Sequence, residues 1–393
     1  MDKKKIFIAA DIFPPEIGGP ATYSSRLADE LHDKGYHVSV LHYGHLHQKK
    51  PKKPYSIRRV SKTLPLPFRY IAYFIQLFFL SYNYHVIYAQ GPVASWLPAL
   101  WVSKLLDKRL VVKVVGDYAW EQAQVLKKTA QTIDQWQADP QYKRGIVDKI
   151  SQLIWAEKNV VHGADKVITP SHYLRGIVIG WGAPENNVEV VYNSIEKISS
   201  TIDMSKDQAK EKLGLSGSII VSASRFVPWK GFGFLIRLMP DILKIKPDAK
   251  LVLAGDGPEY KRYKALAEEL GLLEKVIFTG AIKREKLAIY LKSSDMFLLA
   301  SSYEGLSHLI LEAMQQCTPS IVSDIGGNPE VVDHEINGLL VPYLDKEAWL
   351  GAISSVWQNK ELSSRISSSP IPAMPVFEFD QMISSTEKII IDN

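Results

Sequence analysis

Short apolar runs alternate with longer amphipathic stretches along nearly the whole chain, which predicts α/β architecture with parallel sheets. A first series of strands is expected over 5–10, 38–42, 86–90, 110–115, 166–169 and 188–192. Helix-length segments separate them at 21–34, where Leu27 and Leu31 share a face, at 68–80 and at 96–106. The polar stretch 195–212 has no clear period and reads as a linker plus a helix leading into a second series. That series predicts strands over 219–222, 250–254, 276–278, 296–299, 320–323 and 338–341. Beyond it, the Ser- and Pro-rich 363–375 reads as loop and 379–391 as a helix. The expected organisation is an N-terminal Rossmann-like domain over 1–196 and a C-terminal one over 197–378, facing each other across a cleft. The terminal helix, 379–393, is expected to pack back on the first domain. Ligands of doubly wound sheets bind outside the carboxyl ends of the strands, so chemistry is sought in the loops that follow them.

A length of 393 residues suits two domains of ordinary size. Cys317 is the single cysteine, which excludes an internal disulfide and fits a reducing compartment. The apolar run 6–10 is too short for a secretory signal, so a cytoplasmic location is expected. Charge distribution adds more. The formal net charge is +5, yet residues 34–104 hold no Asp or Glu while carrying Lys49, Lys50, Lys52, Lys53, Arg58, Arg59, Lys62 and Arg69. An aromatic-rich run, 69–84, follows, and 71–80 is apolar apart from Gln76. That is about half of the ~20 residues needed to cross a bilayer. Two readings stand: a core helix beneath a basic loop, or a surface over 49–80 that docks peripherally on anionic membrane, where each Lys or Arg adds ~1 kcal/mol. Nucleic acid is not an expected partner, because the basic cluster lacks interleaved aromatics and any accompanying motif. His42, His45 and His47 alternate beside the basic loop without an evident third-ligand geometry, and read as solvated loop residues rather than a metal site.

The densest chemistry lies in 301–314. This segment follows a strand, turns at Gly305, passes Leu306 and opens a helix that Ser307 is placed to cap. Unpaired N–H groups and the helix dipole at such a start favour a phosphate. Glu304 precedes the helix and Glu312 lies within it, so one carboxylate can accept from sugar hydroxyls and the other from a ribose. Two glutamates eight apart usually mean a solvated face. Here Glu312 is set among Leu309, Ile310, Leu311, Ala313 and Met314, where an unsatisfied carboxylate is costly. The loop after the first strand of the second series carries Arg225 and Lys230, which together can neutralise a diphosphate. Charge on the leaving nucleotide grows as a glycosidic bond breaks, so fixed cations favour the transition state. Gly18 and Gly19 follow the first strand, where backbone can approach a phosphate closely. Gly255, after a later strand, is by itself an ordinary turn residue.

Taken together, these residues resemble the retaining GT-B glycosyltransferases of family 4 (group 1). The resemblance spans the chain and is strongest over 222–341, where Glu304 and Glu312 match the family's E-x7-E motif and Arg225 and Lys230 its diphosphate-binding pair. It implies that Glu304 contacts the donor sugar and Glu312 the nucleotide ribose, with the amides of Gly305, Leu306 and Ser307 near the phosphates. Gly19 matches the N-terminal glycine loop, and Asn193 matches an Asn-Gly turn in which Ser194 replaces the glycine. Many relatives carry a histidine after the strand 110–115; here Asp117 is the candidate to position an acceptor hydroxyl or touch the sugar. No Asp-x-Asp triplet occurs, so no metal and no other cofactor is expected. The implied reaction moves a sugar, with retention, from a UDP- or GDP-linked donor to a glycan or lipid-linked acceptor in cell-envelope polysaccharide synthesis. A nucleotide-sugar epimerase of the same design and a non-catalytic nucleotide-sugar-binding module are the alternatives.

Overall fold

The computed structural model describes residues 3–16, 18–49, 51–91, 93–139, 148–194, 203–368 and 377–392. The chain divides into two compact units, one formed by Met1–Ala123, Asp134–Tyr192 and Asp380–Asn393, the other by Gln124–Ile133 and Asn193–Phe379. Each is a Rossmann-like α/β unit built on one parallel sheet.

In the first unit the strands are β1 (Lys5–Ala10), β2 (His37–Gly44), β3 (Ser56–Ser61), β4 (Val86–Gln90), β5 (Arg109–Lys113), β6 (Lys166–Thr169) and β7 (Val188–Val190). Their order is β3-β2-β1-β4-β5-β6-β7, with every neighbour parallel. β1, β2 and β4 are buried over nearly their full length, as a parallel sheet covered on both faces requires. The first helix, Gly19–Asp33, starts two residues before the expected 21, because Pro20 is tolerated in a first turn.

β3 corrects the reading of the basic stretch as loop. Tyr55, Ile57 and Val60 are buried, and so is Arg59, whose guanidinium donates to the carbonyls of His45 (2.7 Å) and Gln48 (2.8 Å). Other cations here also have partners: Lys53 pairs with Asp29 at 2.6 Å, and Lys62 pairs with Glu16. His42 is not a solvated loop residue either. It is fully buried in β2 with Nδ1 2.8 Å from the Tyr43 carbonyl, and burial pushes its pKa down to about 4.

The helix Leu66–Ser81 fits the core reading on one face only. Tyr73, Leu77 and Ser81 are buried, with the Tyr73 hydroxyl 3.1 Å from the carbonyls of both Ala10 and Leu41. On the opposite face Phe68, Ile71, Ile75 and Phe79 are exposed, Phe79 to 72%. Trp101 and Leu105 of the next helix, Val93–Leu105, are exposed too, and Trp101 meets Phe74 edge to face. No helix among the described residues is long and apolar enough to cross a membrane. The C-terminal helix Phe379–Ile391 belongs to this unit: Thr386 meets the Tyr23 hydroxyl at 2.8 Å, and the Ile389 carbonyl accepts from Arg109 at 3.0 Å.

The second unit contains β8 (Ile219–Ala223), β9 (Lys250–Ala254), β10 (Val276–Gly280), β11 (Met296–Leu299), β12 (Ser320–Ser323) and β13 (Leu339–Val341). Their order, β10-β9-β8-β11-β12-β13, is the 3-2-1-4-5-6 order of a dinucleotide-binding sheet. Phe232, Met239, Leu253 and Trp349 anchor its core. Part of the expected loop 363–375 is helical instead: the helix Lys360–Ser368 buries Leu362 and Ile366 one turn apart, and Asn359 caps it through Leu362 N at 3.0 Å. The remainder of that loop, 369–375, and the linker 195–202 lie outside the described residues. The linker ends in the helix Lys206–Leu213, which Ser205 and Gln208 start with a capping box.

Candidate functional site

A doubly wound sheet opens a crevice where its strand order reverses. In the second unit that point lies between β8 and β11, which are hydrogen-bonded neighbours. The loops after these two strands are therefore adjacent although they are far apart in sequence. Backbone contacts fix them to each other: Ser302 N donates to the Trp229 carbonyl at 2.8 Å. Gly231, with φ +72°, lets the first loop lie against the second, because a Cβ there would fall 2.0 Å from the Ala300 carbonyl oxygen. No other residue fits that position.

The approach brings Lys230 to Glu304. Lys230 Nζ is 2.6 Å from Glu304 Oε1, and the side chains are only 16% and 10% exposed. Ser301 Oγ donates to the same oxygen at 2.7 Å, a partner that sequence reading missed. Its only signal is its place two residues beyond β11 and three before the glutamate. Arg225 lies on the same loop as Lys230, exposed, and pairs with no carboxylate among the described residues. The loop is held from its other side by Gly255, where a Cβ would sit 1.9 Å from the Ser224 carbonyl oxygen. Gly255 thus serves to seat the Arg225 loop.

Gly305, Leu306 and Ser307 are buried and lead into the helix His308–Gln315. Ser307 occupies the N-cap position, but its hydroxyl makes no capping hydrogen bond, contrary to expectation. The first N–H groups of that helix have no intrahelical acceptors and carry the positive end of its dipole. The Glu304 carbonyl accepts from Gly327 N at 2.9 Å, which fixes the turn before the helix. Glu312 is buried in the same helix, and burial raises its pKa while Arg284 draws it back down. Arg284 Nε stands 2.8 Å from Glu312 Oε1. No spacing rule links residues 284 and 312, so this partner was not legible in the sequence.

In the first unit, Gly18 precedes the helix Gly19–Asp33, and the space beside Gly19 is open: a Cβ there would meet nothing within 4 Å. Asn193 is buried just beyond β7. Asp117 is placed differently from the sequence expectation. It is fully buried, Oδ1 accepts from Trp120 N (2.7 Å) and Oδ2 from Gln137 Nε2 (2.7 Å). Glu157, also fully buried, accepts from Tyr118 N (2.8 Å) and Ala119 N (3.2 Å). The two acids together satisfy the first turn of the helix Tyr118–Val125, and burial beside each other raises the pKa of both. Asp117 is a helix cap with no exposed oxygen to offer a substrate. Among the described residues no group of three or more His, Cys, Asp or Glu is arranged to hold a metal ion.

A Rossmann-type sheet whose switch point carries a lysine, an arginine, two carboxylates and a buried helix start has the features that suit a nucleotide phosphate. Comparison with known proteins narrows the class. Residues 203–369 match Glycosyl transferases group 1 and residues 17–197 match Glycosyltransferase Family 4, so together the matches span most of the chain, which belongs to these glycosyltransferases. An uncharacterised glycosyltransferase of Methanocaldococcus jannaschii is 34% identical over 205 residues, which is 50% of this chain and 52% of that protein. The chain thus spans about half the length of that relative. The alpha-monoglucosyldiacylglycerol synthase of Streptococcus pneumoniae is 25% identical over 83% of this chain and 71% of its own. Among solved structures, Anabaena HepE in complex with UDP superposes with a TM-score of 0.75 at 18% identity, covering 98% of each chain. That likeness extends the shared fold to the whole chain.

Proposed function

We propose that this chain transfers a sugar, with retention of anomeric configuration, from a UDP- or GDP-linked donor to a glycan or lipid-linked acceptor in cell-envelope polysaccharide synthesis. The observation that carries the reading is the contact of Lys230 with Glu304 at the switch point of the second sheet, beside the start of the helix His308–Gln315. In this reading Lys230, Arg225 and the helix start meet the diphosphate, and they stabilise the charge that builds on it as the glycosidic bond breaks. Glu304 accepts from the donor sugar and Glu312 from the ribose. These groups meet the diphosphate without a metal or other cofactor, so chelation with EDTA should leave the rate unchanged. The UDP bound by HepE supports a nucleotide donor, and the diacylglycerol-based name of the pneumococcal relative supports a lipid-linked acceptor.

The exposed apolar face of Leu66–Ser81, with Lys49, Lys52 and Arg58 exposed nearby in sequence, supports peripheral docking on anionic membrane from the cytoplasmic side. Incubation of the purified protein with labelled nucleotide-sugars and a membrane extract tests the transfer. The expected product is a labelled lipid-soluble or polymeric glycan. Conversion of the donor to an isomer without acceptor would identify an epimerase, and donor binding without either product would identify a binding module.

A further inference from the structure

Glu312 is a carboxylate in an apolar helix, between Leu311 and Ala313, and its side chain is 11% exposed. Such a group takes up a proton unless a charge nearby holds it ionised. Arg284, the first residue of the helix Arg284–Ser293, supplies that charge. The contact is made through Oε1 of Glu312, and no hydrogen bond to Oε2 is seen among the described residues. The contact is made by Arg284 Nε, and the arginine side chain is 35% exposed, so its terminal amino groups remain available to a ligand. The pair therefore offers two complementary functions side by side, an acceptor carboxylate and a planar cationic donor.

We infer that Arg284 is a positioning residue that holds Glu312 ionised and aimed for the cis-diol of a ribose, and so sets the preference for ribonucleotide over 2′-deoxyribonucleotide donors. The inference rests on the nucleotide-donor reading above. A carboxylate accepts from both hydroxyls of a diol, whereas a neutral acid must turn one oxygen into a donor and loses part of that match. Hydrogen bonds to a charged group are the stronger kind, and a site that leaves one unmade rejects the analogue that lacks it. Arg284 has no part in the Lys230–Glu304 contact, so its loss should appear in donor binding, with the chemical step largely retained.

The experiment measures binding of UDP, 2′-deoxy-UDP, GDP and 2′-deoxy-GDP by calorimetry to the full chain, to Arg284→Met, Arg284→Lys and Glu312→Gln, alongside kcat and KM with the intact donor. The unsubstituted chain should prefer its ribonucleotide by roughly 10- to 100-fold over the deoxy form. Arg284→Met should cut that preference about tenfold and raise KM by a similar factor, with kcat within about threefold; Arg284→Lys should restore part of the preference. Thermal melting checks that each variant is folded, and Arg284→Gln, measured in the same way, carries the test if the methionine variant is not. A full ribose preference in folded Arg284→Met, or in Arg284→Gln as its replacement, overturns the inference while leaving the donor reading standing. Failure of the unsubstituted chain to bind either ribonucleotide overturns the donor reading itself.

Discussion

Glu304→Gln separates the contact the structure gives this carboxylate, with Lys230, from the sugar contact proposed for it. In the protein without donor, Glu304 neutralises Lys230 at 2.6 Å in surroundings where both side chains are at most 16% exposed. At an effective dielectric of 20 the bare attraction at that distance is roughly 6 kcal/mol, and desolvation of the two ions consumes most of it. A diphosphate must therefore compete with Glu304 for the lysine. Glutamine keeps the shape and an acceptor for Ser301, but removes the competing charge and leaves Lys230 buried without a counterion. Binding of the nucleoside diphosphate alone should tighten about tenfold, equivalent to ~1.4 kcal/mol. Sugar transfer should fall about a hundredfold, because a contact to the donor sugar that strengthens in the transition state is weakened. The variant should also melt at lower temperature than the parent when free, and recover most of the difference when saturated with nucleotide. Calorimetry with UDP and GDP, initial rates and paired melting curves read the three effects. A folded variant whose diphosphate affinity is unchanged or weaker refutes the competition argument, and one that keeps full turnover removes Glu304 from the sugar site.

Asp117→Asn should keep transfer within about threefold of the parent, because the side chain has no exposed oxygen; a loss near a hundredfold would return Asp117 to the chemistry. Lys113→Met concerns the first unit, where Lys113 is buried with its ammonium 3.7 Å from the Tyr23 ring and no hydrogen-bond acceptor among the described residues. Burial pushes its pKa down from 10.5 to about 7, so below pH 7 the folded chain bears the full penalty of the buried charge, and that penalty fades as pH rises toward 10.5. The corresponding destabilisation is roughly 4 kcal/mol at neutral pH, offset by about 1–2 kcal/mol of cation–π attraction. The methionine variant should therefore be more stable by about 2 kcal/mol at pH 7, with the gain shrinking by pH 10; lower stability at pH 7 counts against this account. Ile75→Glu with Phe79→Glu should abolish co-sedimentation with anionic vesicles while leaving transfer to a soluble acceptor within about twofold; vesicle binding that survives both changes would remove the apolar face of Leu66–Ser81 as the docking surface.

Much of this arrangement was legible before any coordinate. Apolar runs such as 219–222 and 296–299 can only be buried strands when helix-length segments flank them, and two such series imply two sheets. What stayed hidden has a common physical cause: a polar side chain whose partner is distant in sequence. Arg59 makes 56–61 look like loop, yet two carbonyls contributed by 45 and 48 allow it to enter a strand. The Ser-rich segment after 360 looks irregular until Leu362 and Ile366 are seen to share a buried face. Asp117 carried the expectation of positioning an acceptor hydroxyl or touching the sugar because it follows the strand 110–115, where many relatives carry a histidine. Its explanation is Glu157, forty residues on, at the same helix start.

The chemistry of the second unit follows from the reversal of its strand order more than from any single motif. β8 and β11 are neighbours in the sheet, so residues 230 and 304 meet although 74 positions separate them. Glycine at 231 is what turns adjacency into contact, since any side chain there would collide with the Ala300 carbonyl and drive the lysine loop away from the glutamate. Arg284 reaches Glu312 because the helix that follows β10 packs against the helix that follows β11. The cations and carboxylates are thus set in matched pairs before any donor arrives, Lys230 with Glu304 and Arg284 with Glu312. Burial raises the pKa of Glu312 and Arg284 draws it back down, while Glu304 stands against Lys230 and the Ser301 hydroxyl. In the function proposed above, a diphosphate flanked by a ribose and a sugar would supply a partner for all four groups, whereas inorganic phosphate would satisfy only the lysine side.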